Sequence, residues 1–380
     1  MAKKPFTPIP PMAELPPAEE INVKEILDKY LAGEIDLICV LGPTASGKTR
    51  YAVKLARKIN SLLEKRHENG VLPAGEKRAT PLTAGVVSER ANSPVDFCSE
   101  QPSERPSSHR TPLPQAEIIS ADSRQVYRGM DIGTGKDLSE YEEIPYHLMD
   151  IVDAGTKYNI FEYQRDFEKA YKDIVDRGCV PILCGGSGLY IEAATCGYSL
   201  PEVPPDPTLR EELEKKTDDE LIAQLASLKP LHNNTDYDTR KRLIRALEIA
   251  IYEAEHPVSR SSFLPKSTYY IGTLVSREER NTRIDRRLDA RIEEGMIDEI
   301  RSLVDGTHPA LPEGNGPIPA EDLIYYGLEY KFVTQHVIGE LTIEQMRSQL
   351  ATAIHQFAKR QMTWFRGMER KGITIHWTEV

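Results

Sequence analysis

The octapeptide Gly42-Pro43-Thr44-Ala45-Ser46-Gly47-Lys48-Thr49 constrains this chain more than any other stretch. It fits G-x-x-x-x-G-K-[ST] in full. An apolar run, DLICVL at 36–41, precedes it. A helical pattern over 48–63 follows, carrying Val53, Leu55, Ala56, Ile59, Leu62 and Leu63. A buried strand that turns through glycines into a helix aims successive N–H groups and a helix N-terminus at one point, which suits phosphate oxygens. Lys48 is placed to reach the outer phosphate, and the Thr49 hydroxyl to hold Mg²⁺. The motif predicts a phosphate-bearing ligand on residues 42–49 and leaves open whether it is ATP.

The remaining patterns set the fold class. Glu117–Ser120 reads as a second short strand, 160–177 as a helix and Val180–Cys184 as a third strand; YYIGTLV at 269–275 and residues 373–377 add two more. Strands alternating with helices predict an α/β fold: a P-loop NTPase-like parallel sheet flanked by helices. Helical patterns at 208–216, 218–228 and 237–254, bounded by prolines, predict a small helical insertion domain at 201–265. Further helices are expected at 278–304, near 320–334 and at 342–370. The expected organisation is a proline-rich tail and short helix over 1–33, the P-loop core over 34–200, the insertion, and the rest of the core with C-terminal helices over 266–380. Residues 64–115 are dense in Pro, Ser, Glu, Arg and Gly, and are expected to be a disordered insertion within the core.

Composition narrows the class. A net charge of −11 argues against a generally basic coat for nucleic acid and directs attention to local charge. Five cysteines without a CxxC pair make a disulfide framework or zinc knuckle improbable. Cys39, Cys179 and Cys184 lie in or beside apolar runs and read as reduced core thiols, which points to a reducing cytosol. The two lysines near the N-terminus are not followed by an apolar segment, and no run approaches the roughly 20 residues of a membrane span. A cytoplasmic protein without a membrane partner is expected.

Asp122 follows the second strand, in ISADSRQ. Ligands of open parallel sheets bind at the carboxyl ends of the strands. Asp122 is therefore a general base, a Mg²⁺ ligand or a helix N-cap. The glycine-rich loop DIGTGKD carries Asp131, Lys136 and Asp137; Lys136 is either an added charge at the ligand or a solvated loop lysine. Gly185-Gly186-Ser187-Gly188 ends the third strand. Positive charge gathers in three islands: Arg240, Lys241, Arg242 and Arg245; Arg280, Arg283, Arg287 and Arg291, spaced by three and four; and Lys359, Arg360, Arg366, Arg370 and Lys371 around Trp364 and Phe365. The last suits a phosphate backbone with stacked bases, or a helix that packs both aromatics inward. The arginines of the second are interleaved with Asp285, Asp289 and Glu293, as on a solvated, salt-bridged helix.

Together the motifs are specific. GPTASGKT at 42–49, ISADSRQVYRGMDIGTGK at 119–136, HLMDIVD at 147–153, FEYQRDF at 161–167, GGSGLYI at 185–191, RKRLIRALE at 240–248, RIDRRLDARIEEGMIDEI at 283–300 and KRQMTWFRG at 359–367 occur in order. The chain resembles the tRNA dimethylallyltransferase (isopentenyltransferase) family over about 35–63 and 116–377. DLIYYGLEYKF at 322–332 looks closest to the second bacterial type. It departs from the family in the insertion and in GTGKD, where GTAKP is common.

The resemblance implies that the P-loop, residues Gly42, Pro43, Thr44, Ala45, Ser46, Gly47, Lys48 and Thr49, holds the diphosphate of dimethylallyl diphosphate and not ATP. It implies Mg²⁺ at Thr49, Asp122 as general base, Thr44 and Lys48 in catalysis, and a diphosphate-facing arginine in RIDRR, with Arg283 favoured and Arg287 second. It places contacts to a tRNA anticodon stem-loop on Asp122, Ser123, Arg124, Gln125, Arg240, Lys241, Arg242, Lys359, Arg360, Gln361, Thr363, Trp364 and Arg366. The implied reaction is transfer of dimethylallyl to N6 of the adenosine beside the anticodon, position 37, by a monomer. A P-loop kinase and prenylation of free adenine nucleotides are the alternatives.

Overall fold

The computed structural model describes residues 15–70, 115–197, 203–228, 239–256, 265–312 and 316–380. Strands β1 (Leu37–Leu41), β2 (Ala116–Ala121), β4 (Tyr146–His147), β6 (Val180–Gly185), β7 (Thr268–Leu274) and β8 (Ile375–Glu379) form one sheet in the order β4-β2-β6-β1-β7-β8. Every pairing in it is parallel. Two short strands, β3 (Tyr127–Arg128) and β5 (Val152–Asp153), pair separately.

Both faces of the sheet are covered, and its two middle strands, β6 and β1, carry no charged or hydroxyl side chain. In β1, Ile38 and Val40 join a core with α1 (Val23–Ala32) and α2 (Lys48–Glu68). Leu37, Cys39 and Leu41 face the opposite core with α3 (Ile160–Asp176) and α4 (Gly188–Thr195). This is the period of two that a pleated strand imposes. α3 starts at a capping box in which Asn159 and Glu162 satisfy each other's backbone N–H groups. Cys39, Cys179 and Cys184 are buried free thiols, as their apolar settings predict.

Helices α5 (Pro207–Glu214), α6 (Asp218–Leu228) and α7 (Arg240–Glu255) share a core of their own around Leu221, Leu225 and Leu247. A third core joins α8 (Arg277–Glu294), α9 (Met296–Asp305), α10 (Ala320–Tyr326), α11 (Leu328–Val337) and the first half of α12 (Ile343–Arg370). α12 then continues to the sheet, where Phe365 and Met368 enter the α3–α4 side.

Three expectations need correction. The pattern at 278–304 is two helices, because Gly295 takes φ 111°, a conformation open to glycine, and ends α8. The pattern near 320–334 likewise breaks at Gly327. Residues 64–68, assigned to the disordered insertion, continue α2; positions 71–114 lie outside the described residues.

Candidate active site

The parallel register brings the loops after β1, β2 and β6 to one edge of the sheet. A cavity of about 330 Å³ opens there. Its polar lining comes from Thr44, Lys48 and Thr49 of the P-loop, Asp122 to Gln125 after β2, and Ser187 after β6. From the helices come Arg287, Arg291, Glu329 and Arg360. Tyr141, Cys184, Tyr326, Leu328, Ile354 and Phe357 supply apolar surface. Charged groups and a greasy wall thus share one space, which fits a ligand with an anionic head and a hydrocarbon tail.

The charges interact. Burial pushes the Lys48 ammonium below its usual range, the Asp122 carboxylate pulls it back up, and Arg287 and Arg291 add to the lowering. Burial likewise lowers Arg291, with Arg287 as its like-charge neighbour, and raises the carboxyl of Glu329. Asp122 caps no helix. Its Oδ1 accepts the N–H of Arg124 at 2.9 Å within its own turn, which fixes the carboxylate at the cavity.

Within the P-loop, roles divide. Ser46 is fully buried and hydrogen-bonds Thr273 Oγ1 at 2.7 Å, so its side chain braces the loop. The N–H of Thr44 donates to Gln361 Oε1 at 2.8 Å, while Gln361 Nε2 donates to the Gly186 carbonyl at 2.8 Å. Gln361 is buried. It ties the P-loop to the loop after β6, where an RNA contact was expected. Pro43 and Ala45 do not line the main cavity.

The glycine-rich loop is clamped from outside. Glu299 accepts the N–H groups of Asp131 (3.0 Å), Ile132 (2.7 Å) and Gly133 (3.1 Å), and the hydroxyl of Tyr330 at 2.7 Å. Gln125 Nε2 donates to the Gly135 carbonyl at 3.1 Å, so this side chain also has a structural task. Lys136 is neither a solvated lysine nor a charge offered to a ligand. It is buried and bonds Tyr127 O at 2.6 Å, Asp131 at 2.6 Å and Asp150.

Of the two arginines expected to face the diphosphate, the one favoured does not line the cavity and the second does. Arg283 is held by Glu279 at 2.9 Å and lies off the cavity; one and two helical turns on, Arg287 and Arg291 line it. Helical spacing linked the three but did not say which turn of α8 meets the P-loop. Arg240 bonds Glu214 at 2.8 Å, Asp218 at 2.5 Å and two carbonyls. Lys241 and Arg242 are exposed. On α12, Lys359, Arg360, Thr363 and Trp364 are exposed and Phe365 is buried, so only one of the two aromatics packs inward. Arg366 is half-buried. Arg124 lies 5.8 Å from the Tyr326 ring centroid. Glu299, Tyr326, Glu329 and Phe357 were not singled out by sequence reasoning; the first three lie within RIDRRLDARIEEGMIDEI and DLIYYGLEYKF, but spacing alone does not say which of those side chains turn toward the site.

The profile of the IPP transferase family matches residues 125–368. The chain belongs to that family. Its relatives include tRNA dimethylallyltransferase 2 of Bacteroides fragilis, 46% identical over 91% of this chain and 93% of the relative. Another is tRNA dimethylallyltransferase 2 of Porphyromonas gingivalis, 48% identical over 90% and 93%. Among solved structures, a full-length tRNA isopentenylpyrophosphate transferase from Bacillus halodurans matches with TM-score 0.53 and 27% identity, covering 90% of this chain and 89% of that one. The chain is therefore a prenyltransferase, and the cavity at the edge of its sheet is its candidate active site. Among its described residues, no helix is long and apolar enough to cross a membrane.

Proposed function

We propose that this transferase moves the dimethylallyl group of dimethylallyl diphosphate to N6 of adenosine 37 in tRNA. The carrying observation is the shared cavity, where the P-loop cation, two arginines, an apolar wall and Asp122 meet. The N6 lone pair is delocalised into the purine and is a weak nucleophile, so departure of the diphosphate is the demanding event. Lys48 and Arg287 face the place where negative charge grows, a preorganised setting for it. As the N6–C1 bond forms and the C1–O bond breaks, Asp122 accepts the N6 proton, a role worth roughly 10²–10⁴ in rate. Tyr326, Leu328 and Phe357 offer the prenyl group a dry wall.

Thr49 lines the same cavity as Lys48, and its hydroxyl would hold Mg²⁺. No cluster of three acidic, histidine or cysteine side chains stands among the described residues. When bound, Mg²⁺ supplies charge neutralisation to the leaving diphosphate.

The purine must leave the anticodon-loop stack to reach the cavity. Arg124, Arg360 and the exposed Trp364 stand ready for phosphate and base contact, and Lys241 extends the basic surface on α7. We read it as a working monomer, and its tRNA substrate favours the cytoplasm. Mass spectrometry of tRNA nucleosides after incubation with dimethylallyl diphosphate tests the proposal. N6-dimethylallyladenosine at position 37 is expected. Alkylated free AMP with untouched tRNA, or ATP turnover without tRNA, would overturn it.

A further inference from the structure

Two arginines among the described residues, Arg280 and Arg291, carry a buried side-chain nitrogen without a hydrogen-bond partner, and of the two Arg291 lines the cavity. Its side chain is only 11% exposed, and its nearest carboxylate, Glu329, is 3.8 Å from Nη1, beyond hydrogen-bond reach. Nη2 is buried without a hydrogen-bond partner among the described residues. A buried guanidinium nitrogen left unsatisfied is costly, and native structures rarely keep one without a use.

Three surrounding features hold it there. A Cβ at position 135 would overlap Nη2, so the missing side chain of Gly135 is what gives the guanidinium its place. Arg287 next to it is occupied by Asp137 Oδ2 at 2.6 Å and the Gly135 carbonyl at 3.3 Å, which pins the loop that leaves this gap. A second recess of about 20 Å³ is lined by Thr44 and Ala45 of the P-loop together with Arg287, Arg291 and Glu329. Arg291 thus lies beside the phosphate cradle, with Nη2 against Gly135 of the loop that lines the same cavity.

We propose that Arg291 is a second diphosphate-binding arginine, and that Glu329 is a positioning residue that balances its charge while leaving Nη2 for an anionic oxygen. The assignment rests on the prenyl-transfer function above and names a ligand group for it. Arg287 gives part of its fork to Asp137, whereas Arg291 brings an unspent donor. A carboxylate 3.8 Å away is close enough to hold the charge in place and too far to take the hydrogen bond.

Inorganic pyrophosphate, titrated calorimetrically into the full chain with Mg²⁺, tests this. Arg291→Ala should weaken pyrophosphate binding at least tenfold while tRNA affinity stays within about twofold, and Arg291→Lys should recover part of the loss. In prenyl transfer, KM for dimethylallyl diphosphate should rise. A paired variant, Arg291→Met with Glu329→Gln, avoids stranding a buried carboxylate if the single change fails to fold, and it should show the same loss. Pyrophosphate affinity within twofold of wild type in a folded Arg291 variant would overturn the proposal. Lys48→Ala separates the two claims. If it abolishes pyrophosphate binding while Arg291 variants retain it, only the role of Arg291 falls. If the unmodified chain itself ignores pyrophosphate, the function falls with it.

Discussion

Two helices of this protein carry rows of arginines that look alike in sequence and meet different surroundings. On α7, Arg240 is drawn to Glu214 and Asp218, and Arg245 joins Arg210 on the buried Glu248. On α8, Arg287 and Arg291 turn into the cavity beside the P-loop. What separates the rows is how much carboxylate each can reach. The Glu248 carboxylate collects two guanidinium groups and the N–H of Asp206, so this part of α7 is neutralised by the helices it packs on. The cavity-facing arginines keep donor capacity unspent. An arginine count cannot separate the two rows; counting the acceptors within reach of each does.

The sharpest way to break this contrast is Arg287→Ala. Removing one preorganised donor from a developing anion costs roughly 10²–10³ in kcat, and tRNA affinity should barely move. A near-normal kcat would reduce α8 to the same structural status as α7. Next in size is Arg245→Ala. It leaves a buried acceptor less satisfied, at about 1–3 kcal/mol, and should lower the unfolding temperature without changing kcat per folded molecule. A kinetic defect instead would give α7 a place in the chemistry.

Acid should sharpen the contrast further. Burial raises the Glu248 carboxyl, but Arg210, the Asp206 N–H and Arg245 outweigh it and leave it below the usual range. A group lowered on folding stabilises fully above its unfolded value of about 4.3. That stability is lost as pH falls through the lower folded value. Thermal melts between about pH 6 and pH 3 should therefore decline less steeply in Glu248→Gln than in the unaltered chain; identical slopes would remove Glu248 as a source of acid lability. The smallest effect is expected at the RNA surface. Arg360→Ala should weaken tRNA binding a few-fold and reduce the salt slope by about 0.7 for a single phosphate contact in a single-stranded loop. Arg240→Ala should leave the slope alone, because its donors are already taken. Equal slopes for the two would show that acceptor count is a poor guide here.

Much of this was legible in the chain. GPTASGKT after an apolar run announced β1, the P-loop and α2, because strand, loop and helix are contiguous and the motif spans all three. The position of Asp122 followed from the rule that parallel strands present their carboxyl ends to ligands. Arg287 over Arg283 was not legible, since one helical turn is decided by how α8 packs against residues 150 positions earlier in the chain. Nor was the inward turn of Gln361, which lies between exposed Arg360 and half-buried Met362 in a row that reads as RNA-facing. The breaks at Gly295 and Gly327 left no interruption in hydrophobic spacing, because helices on both sides serve the same core.

The central claim is that Asp122, held at the cavity by its own turn, takes the proton from the attacking nitrogen. Single-turnover prenyl transfer by Asp122→Ala, measured beside tRNA affinity, tests it most directly. The expected result is a rate reduced by roughly 10²–10⁴ with tRNA bound almost normally. An unchanged rate, or a lost rate explained wholly by lost tRNA binding, would contradict the assignment.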